Sequence, residues 1–220
     1  MIARDFLSQN IPPLKPTDTV QKAWQWMHDF HITHLPVVED GRLLGVISEE
    51  DILNLSEPEA TLATRSLSLR KSFVYEKDHI YEVVKAAVSF QLSIIPVIDR
   101  EENFVGTITL EGLLKHFGEV ASMTEAGSIL VLEVKKSDYS LATIARIAES
   151  ENIHVLSSYI TSRANLPTAE VTLKLDSNTI AALVSTYERF GYVVKASYAE
   201  SDYLETLQNR YDQLIHFLNI

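Results

Sequence analysis

The chain has 220 residues, 46% of them hydrophobic, and 19 Lys and Arg stand against 30 Asp and Glu for a formal charge of −11. That is enough apolar material for the core of one or two domains, and the negative charge argues against direct binding to phosphate backbones. There is no cysteine, so disulfides, thiolate metal sites and cysteine nucleophiles are excluded. No apolar stretch approaches a membrane span, and no apolar signal core follows Met1 to Asp5. The chain therefore reads as cytoplasmic, with neither nucleic acid nor membrane among its expected partners.

Val20, Ala23, Trp24, Met27 and Phe30 recur at helical spacing behind Asp18-Thr19, which predicts a capped helix with these residues inward. His34-Leu35-Pro36-Val37-Val38 then reads as a strand, Glu39-Asp40-Gly41 as a turn and Gly45-Val46-Ile47 as the returning strand, with Ser48-Glu49-Glu50-Asp51-Ile52 opening a second helix. The same sentence follows again. Ile80, Val83, Val84, Ala87 and Phe90 form a helix pattern behind Asp78 as cap; Ile94-Ile95-Pro96-Val97-Ile98 is a strand, Asp99 to Asn103 a turn, and Gly106-Thr107-Ile108-Thr109-Leu110-Glu111-Gly112-Leu113 the return and the next helix. Pro36 and Pro96 lie 60 positions apart and Gly45 and Gly106 lie 61 apart, so the second turn carries one extra residue. A fixed period of this kind means one β-α-β-β-α unit built twice, each copy covering the other's apolar face.

These paired signatures resemble a tandem pair of CBS domains, the Bateman module, over roughly Met1 to Phe117. The resemblance implies two pseudo-symmetric clefts between the copies that take AMP, ADP, ATP, S-adenosylmethionine or another adenosine compound. The residues agree with this. Ser48 sits where a strand passes into a helix, so its hydroxyl and the first-turn N–H groups can face a phosphate. Asp51, one turn on, offers a carboxylate to two ribose hydroxyls. Plain helix capping is the competing reading of the same two residues. His34, Leu35 and Pro36, with Ile95 and Pro96, belong to the runs that line the cleft in CBS pairs. In the second copy Thr109 keeps the hydroxyl, but Gly112 stands where the ribose-binding Asp would be and Glu111 points to another side of the helix. One competent cleft and one degenerate cleft are therefore expected. Lys15, Arg42, Arg70 and Lys71 are the cations nearest in the repeat to a bound phosphate.

His28, His31 and His34 would sweep around a helix, and Pro36 forces the chain to extend before the third can turn back, so no metal site is expected. His31 near a helix C-terminus is accounted for by the helix dipole. No Ser-His-Asp order, paired-acid spacing or phosphate loop stands out, so the chain is not expected to be an enzyme or to require a cofactor.

Gly118 to Gly127 is small, polar and bounded by glycines, which marks a domain boundary. Beyond it, strands are expected at Ser128–Val134, Ile153–Ile160, Ala169–Leu175 and Tyr192–Tyr198, with helices at Leu141–Ala148 and Ile180–Phe190, the second ended by Gly191. The order β-α-β-β-α-β is the split βαβ, ferredoxin-like pattern. This half resembles an ACT domain, and a CBS pair followed by an ACT domain resembles the acetoin-utilisation AcuB-like proteins. ACT domains that bind amino acids usually carry a glycine in the first strand-to-helix turn; here Lys135 to Leu141 has none, and Tyr139 stands about where it is expected. Dimerisation or partner contact is the favoured role for this half, with an amino-acid sensor as the alternative. A last helix opens on Asp202 and Glu205 as a capping box and carries Leu204, Leu207, Tyr211, Leu214 and Leu218 at steps of three and four.

The sequence thus predicts an α+β chain: CBS repeats over 1–60 and 61–120, an ACT-like domain over 128–200 and a C-terminal helix over 201–220. Its expected function is that of a regulatory protein sensing an adenine nucleotide or similar ligand and passing the signal to a protein partner; a ligand-free interaction module is the alternative. The heptad-like tail and the dimeric habit of both resembled families predict a homodimer. Light scattering at micromolar concentration should show one, and removing residues from Asp202 onward should weaken it or lower its thermal stability. A monomer with and without nucleotide would refute the expectation.

Overall fold

The computed structural model describes residues 1–8, 10–55, 57–62 and 72–199, and the chain divides into two units, Met1–His116 and Phe117–Ile220. Arg70, Lys71 and the helix expected from Asp202 lie outside the described residues.

In the first unit, α1 (Val20–Asp29), β1 (His34–Glu39), β2 (Arg42–Ser48) and α2 (Glu49–Leu53) are followed by β3 (Val74–Tyr75), α3 (Ile80–Phe90), β4 (Ile94–Ile98), β5 (Phe104–Thr109) and α4 (Leu110–Val120). The repetition extends to small details. Both hairpins pair a valine with a glycine, Val37 with Gly45 and Val97 with Gly106, and both have an irregularity in register just after that pair. Leu14 bridges Val37 in parallel as β3 pairs with Val97 and Ile98. The turns differ. Asp40 and Gly41 both take positive φ, +49° and +80°, as a tight two-residue hairpin demands. The longer second turn is closed by Asp99, whose carboxylate accepts from the backbone N–H groups of Glu101 and Asn103 and from the Asn103 side chain at 2.8–2.9 Å. The Asn103 amide, aided by those backbone donors, holds the Asp99 carboxyl below its ordinary range.

The helices α1 and α3 end alike. His31 and Gln91 are left-handed, with φ +53° and +52°, and the next residues donate back across the last turn: Ile32 N–H to the Met27 carbonyl and Leu92 N–H to that of Ala87, both at 3.0 Å. Each helix therefore stops with a buried apolar residue, Ile32 or Leu92, and turns the chain into the next strand.

Two expectations need correction. On α1 the buried residues are Val20, Ala23 and Met27, and Trp26 and Phe30 pack beside them, whereas Trp24 is 42% exposed. At 100° per residue Trp24 lies at one edge of the buried stripe and Trp26 at the other. At the start of α3 the cap is His79, which accepts from the Tyr81 N–H, not Asp78. Asp78 instead closes the preceding turn by accepting from the Tyr75 N–H at 2.8 Å, as Asp18 accepts from that of Lys15 at the same distance.

The first repeat's core gathers Leu35, Val37, Val46, Ile47 and Ile52 with Val20, Ala23 and Met27, and it also takes in Leu92 and Ile94 from the second repeat. The second core holds Val83, Ile95, Val97, Ile108 and Leu113, and Ala3, Phe6 and Leu7 from the N-terminal segment complete it. Backbone bonds fix this exchange in both directions. Ala3 N–H donates to the Asp78 carbonyl at 2.8 Å, and Leu62 N–H to that of Asp18 at 2.9 Å.

In the second unit, β6 (Ser128–Lys135), α5 (Leu141–Ser150), β7 (Val155–Thr161), β8 (Thr168–Leu175), α6 (Ala181–Arg189) and β9 (Val193–Tyr198) build one antiparallel sheet of order β7-β8-β6-β9. This is the ferredoxin-like βαββαβ arrangement. Leu130, Leu132 and Val134 alternate inward with Ala169, Val171, Leu173 and Leu175, and Ile144, Ile147, Leu183 and Tyr187 cover them. The Tyr187 hydroxyl donates to the Ile144 carbonyl at 2.9 Å and ties the helices together, and burial pushes its phenol well above the ordinary value. Gly127 is required where β6 begins: its φ is +140°, and a Cβ there would run into the Leu175 carbonyl. Among the described residues no helix is long and apolar enough to cross a membrane.

Because Ile94 is fully buried in the core of the other repeat, Ile94→Ala should cost about 2–5 kcal/mol of unfolding free energy. Chemical denaturation followed by circular dichroism measures it. A loss below about 1 kcal/mol would show that the cores are not shared.

Candidate ligand-binding cleft

β2 ends at Ser48 and α2 begins at once, with Ser48 in extended conformation as its cap. The Ser48 hydroxyl accepts from the Asp51 N–H at 3.1 Å and donates to Asp51 Oδ2 at 2.7 Å, and the Ser48 N–H donates to the same oxygen at 2.9 Å. This is a closed capping box. It holds both side chains at the strand-to-helix corner and uses one carboxylate oxygen, Oδ2.

Beside this corner lies an open cavity of about 290 Å³ lined by Thr33, His34, Val46, Ser48, Glu49, Glu50 and Asp51 from the first repeat and by Phe90, Gln91 and Leu92 from the second. Its volume is at the lower end for small-molecule sites. It offers the edge of an aromatic ring, an amide, an imidazole and three carboxylates, a set suited to a heterocycle and vicinal hydroxyls. Among the described residues that line it there is no Lys or Arg.

The structure brings together Ser48, Asp51 and His34 in this cavity. Leu35, Pro36, Ile95 and Pro96 do not line it: all four are buried, Leu35 in the first core and Ile95 in the second, with β4 between β3 and β5 and β1 between β2 and the Leu14 bridge. Nor do Lys15 and Arg42. Arg42 opens β2 at the end opposite Ser48, roughly 20 Å away along the strand, and Lys15 sits in the turn closed by Asp18. Thr109 occupies the equivalent corner of the second repeat, where its hydroxyl accepts from the Gly112 N–H at 3.0 Å. Its neighbourhood differs from that of Ser48: no carboxylate stands at position 112, and at Gly106, the counterpart of Gly45, a Cβ would meet the Leu7 side chain at 3.0 Å.

Thr33, Phe90, Gln91 and Leu92 escaped the sequence reading. A signal for them exists, since His31-Ile32-Thr33 and Gln91-Leu92-Ser93 extend the repeat upstream of the proline strands. What could not be read is that the end of one repeat's helix completes the other repeat's cleft. At the point of exchange Thr33 N–H donates to Ser93 Oγ at 3.0 Å, Ser93 N–H donates to His34 Nδ1 at 3.3 Å, and the carbonyls of Thr33 and Ser93 accept from the first N–H of α2 and of α4.

A second cavity, of about 380 Å³, lies within the ferredoxin-like unit, lined among others by Glu133, Lys135, Asp138, Thr143, Phe190 and Tyr192. It borders the glycine-free turn after β6. His28 and His31 have ring centroids 6.4 Å apart at the end of α1, in a separate small cavity with Glu49.

Comparison with known proteins places the first half of the chain. The CBS domain family matches residues 3–57 and 68–119. A homoserine O-acetyltransferase from Methanosarcina acetivorans is 25% identical over 120 residues, covering 54% of this chain and 22% of its own length, so the chain spans only about a fifth of that relative. Among solved structures, a CBS domain pair/ACT domain protein from Thermotoga maritima aligns with 25% identity and a TM-score of 0.49 over 54% of this chain and 98% of its own. CBSX2, solved in complex with AMP, aligns with 20% identity and a TM-score of 0.46 over 54% of this chain and 97% of its own. With the period, the two bulged hairpins and the exchanged cores already established, residues 3–57 and 68–119 are a tandem pair of CBS domains.

Proposed function

We propose that the chain is a non-catalytic regulatory protein whose CBS pair senses an adenosine-containing ligand in the Ser48–Asp51 cleft and passes the signal to a protein partner. The observation that carries this reading is the cavity itself, built from both repeats around a carboxylate and a hydroxyl held at fixed distance by the capping box. Ribose hydroxyls would meet Asp51, whose Oδ1 is not used by the cap, and a phosphate or other 5′ group would lie toward Ser48. A ligand that touches both repeats favours the arrangement in which it does so, and that differential affinity is the signal. Ligand-free scaffolding is the competing reading, supported by the capping box, which accounts for Ser48 and Asp51 without any ligand.

The ferredoxin-like unit serves, on this reading, as an ACT-like assembly element in the manner of AcuB-like proteins, and the protein acts in the cytoplasm as a homodimer. The glycine-free turn Lys135–Leu141 supports assembly over amino-acid sensing.

Calorimetry with AMP, ADP, ATP and S-adenosylmethionine tests the cleft. A charge-assisted hydrogen bond contributes roughly 1.5–3 kcal/mol, so Asp51→Ala should weaken the bound compound by about one to two orders of magnitude. Ser48→Ala should lower stability by about 0.5–2 kcal/mol through the lost cap. Asp51→Asn keeps an oxygen for the cap and loses the charge, which separates folding from binding. Equal affinity in Asp51→Ala and the parent, or no binding by any of the four, would leave the scaffold reading in its place.

A further inference from the structure

One side chain belongs both to the cleft and to the seam between the repeats. His34 lines the cavity, and its Nδ1 receives the Ser93 backbone N–H at 3.3 Å, with the Ser93 hydroxyl at 3.2 Å and the Thr33 hydroxyl at 3.0 Å. Ser93 comes from the second repeat and does not line the cavity. The ring of contacts closes through Thr33, whose N–H donates to Ser93 Oγ. A ring nitrogen that receives a backbone N–H must present its lone pair, which assigns the proton of the neutral imidazole to Nε2.

We propose that His34 couples ligand binding in the Ser48–Asp51 cleft to the hold between the two repeats. The inference rests on the cleft reading above. Removing either the ring or the Ser93 hydroxyl would break a contact that spans the two repeats.

By reciprocity, whatever strengthens the seam strengthens the ligand, and the reverse.

The test is a mutant cycle on the full chain, read by calorimetry with AMP, ATP and S-adenosylmethionine. Ser93→Ala should weaken whichever compound binds the parent by about three- to tenfold, although Ser93 does not line the cleft. Ser93→Thr, which keeps the hydroxyl, should bind as the parent does. In a His34→Ala background Ser93→Ala should have a smaller effect than in the parent, because only the contact of Thr33 N–H with the Ser93 hydroxyl is then left to lose. If a compound binds but Ser93→Ala matches the parent, or the two alanine effects simply add, the coupling is overturned while the cleft stands. If none of the three binds the parent, the cleft reading fails and the coupling with it.

Discussion

Neither CBS repeat can close its own core, and the rest of the first unit depends on that. A hairpin and two short helices leave a large share of apolar surface uncovered at this size. Leu92 and Ile94 complete the first core from the second repeat, and Ala3, Phe6 and Leu7 complete the second from the N-terminal segment. The exchange is fixed at the backbone by paired bonds to Asp78 and Asp18 and by the crossing contacts of Thr33, His34 and Ser93. Burial supplies the driving force, and the directional bonds set the register in which it is satisfied.

The cleft is a by-product of the same exchange. Once Leu92 must enter the other repeat's core, Phe90 and Gln91 are carried to the mouth of that repeat's strand-to-helix corner. Two such corners exist, but only their buried positions are alike. Ile47 and Ile108 both pack inward, while Glu49 corresponds to Leu110 and Asp51 to Gly112. Packing constrains volume and shape at the core and leaves the rim free to diverge, so one scaffold carries two chemically different corners.

The ferredoxin-like unit follows another logic. Its two central strands, β6 and β8, alternate cleanly, and two helices cover one face over a core drawn, among the described residues, from this unit. A sheet of this kind closes by itself, which is why its element order could be anticipated residue by residue. Only the extents moved, with α5 running on to Ser150 and β7 starting two residues later than expected.

The sequence by itself determined the period, the two hairpins and their turns, the capping pair Ser48 and Asp51, and the βαββαβ order, because each rests on local spacing, turn chemistry or alternation within about ten residues. It also marked the unequal corners, since Gly112 against Asp51 is visible once the copies are aligned. Only the tertiary structure decided which tryptophan of α1 is covered, because Trp24 and Trp26 sit at opposite edges of one stripe and a neighbour must choose between them. It alone moved the cap of α3 to His79, where the N-terminal segment pairs across it, and it alone left Lys15 and Arg42 away from the cleft. Above all it joined Ser93 to His34 and Phe90 to Asp51. One is a hydrogen bond and the other a shared cavity wall, both spanning some 40 to 60 residues between repeats, and no local pattern records a distance that only the exchange of cores creates.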